Sequence, residues 1–168
     1  MDLLNITSQF LSFSTGMAES FGYLGIFVIS LLGSATIFLP VPALIVVFAF
    51  GGILNPWIVG IVAGAGAAIG ELIGYALGYG GKGILEKKYG KDLEKTKRWM
   101  EKHGAFLIII LFALTPLPDD IIGILCGVIN YDLKKFFAAS LIGKIIMHVL
   151  VALAGYMSVQ WVLAFFTL

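Results

Sequence analysis

Charged residues are scarce in this chain of 168 residues: Lys, Arg, Asp and Glu together make up 12%, against about 25% in an average soluble domain. So few charges cannot cover a surface that faces water, which excludes an ordinary soluble enzyme. Disorder is excluded because 60% of the residues are hydrophobic. The apolar runs are continuous, whereas a transmembrane barrel would alternate apolar and polar residues over about ten positions. The sequence therefore predicts an all-α integral membrane protein.

Cysteine is almost absent as well. The single Cys126 cannot form a disulfide within the chain, and its apolar surroundings predict a small buried side chain. The sequence contains no zinc-ligand spacing, catalytic triad or dinucleotide-binding fingerprint, so we predict neither an enzyme nor a bound metal or cofactor. The net charge of +1 gives no basis for binding nucleic acid.

Lys and Arg are missing from residues 1–81, and eight of the eleven in the chain lie within residues 82–103. Short basic loops stay in the cytoplasm. Residues 82–103 are therefore predicted to form a cytoplasmic amphipathic connector, and both ends of the chain, which lack basic residues, are predicted to lie outside. Two interpretations of the connector stay open, a helix lying on the anionic inner leaflet and a solvated helical link.

Two continuous apolar stretches, residues 56–80 and 136–157, have the roughly 20 residues that a helix needs to cross the hydrocarbon core. We predict a transmembrane helix at each. Residues 1–20 are predicted to form an interfacial segment, and residues 158–168 a tail. Together these segments make a single multi-pass domain in the cell membrane.

Two other apolar regions, residues 21–54 and 104–130, are each interrupted by two prolines. A proline lacks the backbone N–H and disfavours helix in the residue before it, so two prolines two positions apart break a helix. The resulting arms of about 11 or 12 residues are too short to cross a membrane. We predict two re-entrant hairpins, and a pair of kinked full-length helices is the alternative. The predicted hairpin tips are Pro40, Pro42, Pro116 and Pro118.

The two hairpins match at a fixed offset of 76 residues. Each hairpin leads into one predicted transmembrane helix, and the basic connector separates the two copies. If the connector is cytoplasmic, the copies have opposite orientations, so the sequence predicts an inverted repeat. Inverted repeats with broken helices are typical of secondary transporters. The matched pairs are Pro40 with Pro116, Pro42 with Pro118, and Gly51 with Gly127.

Glycines recur every four residues along the first transmembrane stretch. Glycine at positions i and i+4 forms a smooth groove that another helix can approach closely. We predict that this face packs against a hairpin or against the other span, and self-association into a homo-oligomer is the alternative. The four glycines are Gly66, Gly70, Gly74 and Gly78.

Five ionisable residues lie in the apolar segments, where each charged side chain costs about 2.5–3.5 kcal/mol. Because such costly groups are functional by default, we predict that they converge into a transport and proton-coupling site near the middle of the membrane. Two structural alternatives stay open, a buried ion pair of Glu71 with Lys144 and a helix cap at Asp119–Asp120. The five residues are Glu71, Asp119, Asp120, Lys144 and His148.

Motifs in both halves are similar to those of a known family. The first half carries Gly66-Ala67-x-x-Gly70-Glu71-x-x-x-Tyr75-x-x-Gly78 and the Pro40-Val41-Pro42 break. On these motifs the chain resembles the DedA family, also called VTT-domain or SNARE-associated proteins, over about residues 20–157. The residues of the second half in a matching frame are Phe112, Pro116, Gly127, Phe136 and Gly143.

The resemblance implies two facing re-entrant hairpins and a protein that moves lipids across the bilayer as a flippase or scramblase. It implies membrane lipids as partners, either a polyprenyl phosphate or a phospholipid, together with protons. Glu71 stands where the family has an acidic residue assigned to proton coupling.

The sequence also departs from the best-known branch of the family, which has two arginines where this chain has Ala113 and Asp119. Arginine is the natural anchor of a lipid phosphate, so a cation, a zwitterionic lipid or another solute stays open as the substrate. A proton- or cation-coupled exchanger of a small solute and a non-transporting scaffold are therefore the alternatives to a lipid transporter.

Overall fold

The computed structural model describes residues 22–35, 40–115 and 120–166. Within these ranges the chain forms six helices and no strand, which confirms the all-α prediction. The predicted segment 1–20 and the predicted tip residues Pro116 and Pro118 lie outside the described residues, whereas Pro40 and Pro42 belong to the first turn of a helix. The helices are α1 (Tyr23–Ser34), α2 (Pro40–Gly51), α3 (Pro56–His103), α4 (Ala105–Ala113), α5 (Asp120–Val128) and α6 (Leu133–Phe166).

Two of these helices, α3 and α6, contain segments long and apolar enough to cross a membrane, Pro56–Gly83 and Leu133–Trp161. At 1.5 Å per residue each segment is about 42 Å long, which covers the hydrocarbon core and both interfaces. Neither helix stops there. The α3 helix continues through the predicted connector to His103, and α6 continues through most of the predicted tail.

Local sequence sets the ends of the long helices. Asn55 caps α3, because its Oδ1 accepts a hydrogen bond from the N–H of Trp57 at 3.0 Å. Asp132 caps α6 in the same way, accepting a hydrogen bond from the N–H of Lys135 at 2.8 Å. The α3 helix ends at Gly104, whose φ of 83° favours glycine. No proline occurs between residues 57 and 115, so no proline ends α3 before Gly104.

Helices α3 and α6 lie side by side and antiparallel. A Cβ on Gly60 would overlap the backbone of Val149, and a Cβ on Gly64 would approach the backbone of Ile145. The order of these contacts runs in opposite directions along the two helices, so the start of α3 and the end of α6 are at the same end of the bundle. The exposed tryptophans at that end are Trp57 and Trp161.

The first short helix of each half packs along the long helix of the same half. In the first half, Gly66 lies against Phe27 of α1 and Gly70 lies against Leu31, so α1 and α3 run in the same direction. In the second half, Gly143 of α6 lies against Ile110 of α4. Glycine allows these backbones to approach without a side chain between them.

The second short helix of each half packs on the long helix of the other half. The contacts again use glycines, at which a Cβ would overlap the facing backbone. The two halves are therefore joined by α2 and α5 as well as by the direct contact of α3 with α6. The contacts are Phe48 with Gly155 and Gly51 with Ala152 on α6, and Ile124 with Gly78 and Gly127 with Tyr75 on α3.

The buried apolar side chains form two clusters, one at each end of the bundle. The first lies between α1, α2 and the outer parts of α3 and α6, and it includes Ile26, Val47 and Val59. The second surrounds Phe136, where α3 and the start of α6 meet α4 and α5, and it includes Cys126. Cys126 is fully buried, as predicted.

The α3 helix bends beyond its membrane segment. Tyr75 donates a hydrogen bond to the carbonyl of Tyr131 at 2.5 Å, and Met100 is buried in the same apolar cluster as Tyr75. In a straight helix the 25 residues between Tyr75 and Met100 would separate them by about 37 Å, yet Met100 and Tyr131 line one small cavity. The connector is therefore folded back over the turn between α5 and α6, in a region rich in glycine.

Candidate functional site

Three ionisable side chains are buried in the middle of the bundle: Glu71 on α3, and Lys144 and His148 on α6, each 3% exposed. Lys144 Nζ lies 2.8 Å from Glu71 Oε1, which is a salt bridge between the two long helices. The pair lies about as far from the start of α3 as from the end of its membrane segment, so its depth is close to the middle of the apolar stretch. Neither charge is accessible to the outside of the bundle.

Burial makes this pair costly to break. Two ions removed from water lose their hydration, and only a close, well-placed partner compensates for that loss. Removing one partner leaves the other charge buried without compensation, which typically costs 3–5 kcal/mol. The pair therefore holds α3 against α6, which is the structural role that the sequence analysis left open for Glu71 and Lys144. It also keeps a carboxylate and an ammonium group deep in an apolar bundle.

The Glu71 carboxylate also faces the second pair of short helices. A Cβ on Gly123 of α5 would be 3.6 Å from Glu71 Oε2, so the absence of a side chain there leaves room for the carboxylate. Glu71 lines a cleft between α4, α5 and α6 that is too narrow to admit a water molecule. The other lining residues are Ile109, Phe112, Ala113, Ile122, Phe136 and Ser140.

His148 lies one helical turn beyond Lys144 on α6. Its Nδ1 is 2.8 Å from the carbonyl oxygen of Lys144. Because a carbonyl only accepts, Nδ1 carries the proton of this hydrogen bond, and a neutral ring then has Nε2 as its acceptor. Ser140 is buried one turn before Lys144, so Ser140, Lys144 and His148 form a polar line along one face of α6.

Of the five ionisable residues predicted to converge, the structure brings Glu71 and Lys144 into direct contact and places His148 beside Lys144. Asp119 lies outside the described residues. Asp120 begins α5, and its side chain is also outside the described part. The helix before Asp119, α4, and the helix that Asp120 begins, α5, both line the cleft at Glu71.

The predicted glycine face is occupied within a single chain. Gly66 and Gly70 contact α1, Gly78 contacts α5, and Gly74 is buried. The groove therefore accepts two different short helices at different depths of the membrane segment.

The sequence patterns predict no role for two residues that lie near the site. Tyr75 lies one turn after Glu71, and its ring packs on Phe136 with 5.2 Å between the ring centroids. Ser140 lies one turn before Lys144. The signal that could have found both is the spacing of four residues from a buried charge, since residues at i and i+4 share a helix face. Within the described ranges, no group of three His, Cys, Asp or Glu side chains could hold a metal ion.

Two helices that are long and apolar enough to cross a membrane and bury an ion pair between them are consistent with a membrane protein of the helical class. The chain matches the VTT domain over residues 41–157. It therefore belongs to the VTT domain family, the domain of the DedA membrane proteins, which is associated with membrane transport. This confirms the resemblance drawn from the Gly66–Gly78 motif.

Two relatives cover most of the chain. The uncharacterized protein MJ0201 of Methanocaldococcus jannaschii is 28% identical over 149 residues, which are 86% of this chain and 90% of the relative. The uncharacterized membrane protein YbfM of Bacillus subtilis is 27% identical over 137 residues, which are 76% of this chain and 84% of the relative. No solved structure matches the chain.

Proposed function

We propose that the two halves form an inverted repeat, in which α1–α2 and α4–α5 are re-entrant hairpins that enter the membrane from opposite sides. Their helices have 12 or 9 residues, or about 18 and 14 Å, and none can cross a core of about 30 Å. In each half a short turn connects the second short helix to the start of the long helix, from α2 to α3 and from α5 to α6.

The contacts of the second short helices support this repeat. The contact of Phe48 with Gly155 corresponds to that of Ile124 with Gly78, and the contact of Gly51 with Ala152 corresponds to that of Gly127 with Tyr75. The short-helix partners are related by 76 residues and the long-helix partners by 77. Such correspondence is expected when each half packs on the other in the same way.

The orientation follows from the basic residues. They cluster where α3 leaves its membrane segment and where α6 begins, so this end of the bundle faces the cytoplasm and the end with Trp57 and Trp161 faces outside. The protein is then a multi-pass protein of the cell membrane.

Cysteine labelling tests this placement. In a Cys126→Ala background, a cysteine at Lys95 should resist an impermeant reagent added outside, and one at Ile53, in the turn before α3, should react. Reaction at Lys95 from outside would show that the proposed orientation is wrong. Reaction of both positions from the same side would contradict the inverted repeat.

We further propose that the protein moves a membrane lipid across the bilayer through the site at Glu71 and Lys144. The observation that carries this proposal is the buried salt bridge itself, because a carboxylate and an ammonium group at this depth offer the polar part of a lipid a partner in the middle of the bilayer. The cleft beside Glu71 admits no water in this structure, so transport requires α4 or α5 to move away from α3.

Proton coupling is part of the same proposal. When a proton binds Glu71, the attraction that holds Lys144 is lost, and both groups become available to a substrate. His148, whose Nδ1 lies 2.8 Å from the carbonyl oxygen of Lys144, is the described ionisable side chain one turn beyond the pair on α6, and we assign it the role of proton relay. Asp119, which precedes α5, and Asp120, the first residue of α5, provide further carboxyl groups.

Reconstitution into liposomes tests the function. A fluorescent phospholipid in the outer leaflet should move inward with the parent protein, and Glu71→Gln should slow this movement at least about tenfold while the protein remains assembled. Glu94→Gln is the matched control, since it makes the same change at a carboxylate that is 64% exposed. If Glu71→Gln moves lipid like the parent between pH 5.5 and 8, the buried pair is structural and the proposal is wrong.

A second candidate, a proton- or cation-coupled exchanger of a small solute, is favoured by one observation. Residues 104–130 contain two Asp residues and no Lys or Arg, and Lys144 is already neutralised by Glu71. An acidic second hairpin suits a cation better than a phosphate. Solute flux driven by a pH gradient in the same liposomes, without lipid movement, would identify this activity, and the absence of both would leave a scaffold.

A further inference from the structure

A second polar site lies at the end of the bundle where α3 leaves its membrane segment. There the folded-back part of α3 and the turn after α5 enclose a cavity of about 840 Å³. We call this cavity the basic trough. Its lining residues are Lys82, Gly90, Leu93, Glu94, Lys97, Arg98, Val128, Ile129 and Asn130.

The lining combines positive charge with an apolar floor. Lys82, Lys97 and Arg98 contribute three positive charges, and Glu94 contributes one negative charge. Glu94 pairs with Arg98 at 2.9 Å, but the two side chains are 64% and 72% exposed, so the pair is held weakly. An anion with two or three oxygens can therefore replace Glu94 at Arg98, whose guanidinium group binds phosphate through two parallel hydrogen bonds.

The floor of the trough is held in one conformation by the backbone. Asn130 has a φ of 56°, and the N–H groups of Asn130 and Tyr131 donate to the carbonyls of Gly127 and Cys126. This pattern closes the end of α5. Because Tyr75 of α3 also donates to Tyr131, the turn is tied to the membrane segment of α3 and the trough keeps its position relative to the bilayer.

A smaller cavity of about 300 Å³ adjoins the trough and shares Lys97, Ile129 and Asn130 with it. It adds the ammonium group of Lys135. The carboxylate of Asp132, which also lines it, already accepts the hydrogen bond that caps α6. Among the described lining residues of the two cavities, the four positive charges of Lys82, Lys97, Arg98 and Lys135 outnumber the two negative charges.

The depth of the trough indicates its ligand. Lys82 is next to the last residue of the membrane segment of α3, and Lys135 is near the first residue of the segment of α6. Basic groups at this level lie among lipid headgroups, and clusters of Lys and Arg just cytoplasmic of a transmembrane helix bind anionic lipids. The apolar floor at Leu93, Val128 and Ile129 suits the part of a lipid next to its headgroup.

We infer that the basic trough binds the phosphate headgroup of an anionic phospholipid from the cytoplasmic leaflet. The inference rests on the proposed orientation in the membrane. It concerns a site separate from the buried pair of Glu71 and Lys144, and it requires no transport.

Fluorescence quenching tests the inference. Trp57→Phe and Trp161→Phe leave Trp99, which lies next to Arg98 and is half exposed, as the only tryptophan. This protein is reconstituted into phosphatidylcholine vesicles that contain phosphatidylglycerol, with brominated acyl chains on one lipid or the other. The parent should bind phosphatidylglycerol at least fivefold more strongly than phosphatidylcholine, because one basic residue near the surface is worth about fivefold. Lys97→Gln with Arg98→Gln should remove this preference.

The matched control is Lys87→Gln with Lys91→Gln, which removes the same charge from exposed positions of the same helix outside the lining. It should keep the preference within about twofold. An equal loss in both variants would show that general surface charge is responsible, and an unchanged preference in the first variant would show that the trough does not bind lipid. Either result overturns the inference.

Two further outcomes also contradict it. Displacement of brominated phosphatidylglycerol by inorganic phosphate would show a site for soluble phosphate, and no quenching by either lipid would place the connector away from the bilayer. Glu71→Gln should keep the lipid preference whether or not it abolishes transport. The failure of one proposal is thus distinguishable from the failure of the other.

Discussion

The two halves of the molecule share one backbone arrangement and differ in what is buried between their helices. In both halves the first short helix packs on the long helix of its own half and the second on the long helix of the other, through glycines. The positions that correspond to the ion pair differ, however. At the offset of 77 residues that relates the long helices, Lys144 corresponds to Ala67, which is buried and apolar, and Glu71 corresponds to His148, which is buried and ionisable.

This difference distinguishes the glycine and apolar contacts, which build the fold, from the buried ion pair of Glu71 and Lys144. The apolar cluster around Ile26, Val47 and Val59 shows that close glycine contacts and apolar packing hold short helices on the long ones without a buried charge between them. The charges of Glu71 on α3 and Lys144 on α6 are therefore not required for this kind of packing. A buried charge that the arrangement does not require, and that costs several kcal/mol in a membrane, is the reason for which we propose a functional role for this pair.

The largest effect is expected where the halves differ most. Lys144→Met should reduce the free energy of unfolding by about 3–5 kcal/mol, because it leaves the Glu71 carboxylate buried without its partner. The double variant Glu71→Gln with Lys144→Met should recover most of this loss, since it removes both charges and leaves neither one buried without a partner. Unfolding of the purified protein in mixed detergent micelles would measure both. A double variant as unstable as Lys144→Met would mean that the charges are not coupled.

A smaller loss of stability, of the same size in both halves, is expected at the glycine contacts that the halves share. Gly155→Ala and Gly78→Ala each place a Cβ on a facing carbonyl, that of Phe48 on α2 in one case and that of Ile124 on α5 in the other. Each should cost about 1–3 kcal/mol of unfolding free energy, as overpacking does, and the same unfolding assay would measure it.

The control for these glycines is Gly80→Ala. No atom lies within 4 Å of a Cβ at Gly80, so alanine should be neutral or stabilise α3 by up to about 1 kcal/mol. A loss at Gly78 without one at Gly155 would show that the two contacts are not equivalent, and the proposed repeat would then lose its structural support.

The smallest effects compare two buried hydroxyl groups of the first half, one with and one without a hydrogen-bond partner. Tyr75→Phe removes the hydrogen bond to Tyr131 and should cost about 1 kcal/mol. Ser30→Ala removes a buried hydroxyl that has no hydrogen-bond partner among the described residues, so stability should change by less than about 0.5 kcal/mol or rise. Thermal unfolding would rank the two variants, and a larger loss at Ser30 would reveal a polar contact of its hydroxyl.

Much of the architecture could be predicted because it follows from local sequence. The roughly 20-residue apolar stretches predict the two long helices, and the paired prolines at Pro40 and Pro116 predict that the other apolar regions are divided. The glycine spacing after Gly66 predicts a close helix contact but not its partner, because glycine accepts any backbone. The end of α3 was not predictable from apolar length, since helix formation continues into charged residues when no proline or glycine cap intervenes.

The sequence by itself determined that this is a helical membrane protein, which residues are costly to bury, and where its helices break. Composition, proline geometry and charge placement act locally, so these features need no knowledge of distant contacts. Only the tertiary structure decided that Glu71 faces Lys144, that α2 and α5 exchange long-helix partners, and that α3 folds back over the turn after α5. Each of these depends on contacts between residues far apart in the chain, and many pairings of the same helices would satisfy the same local rules.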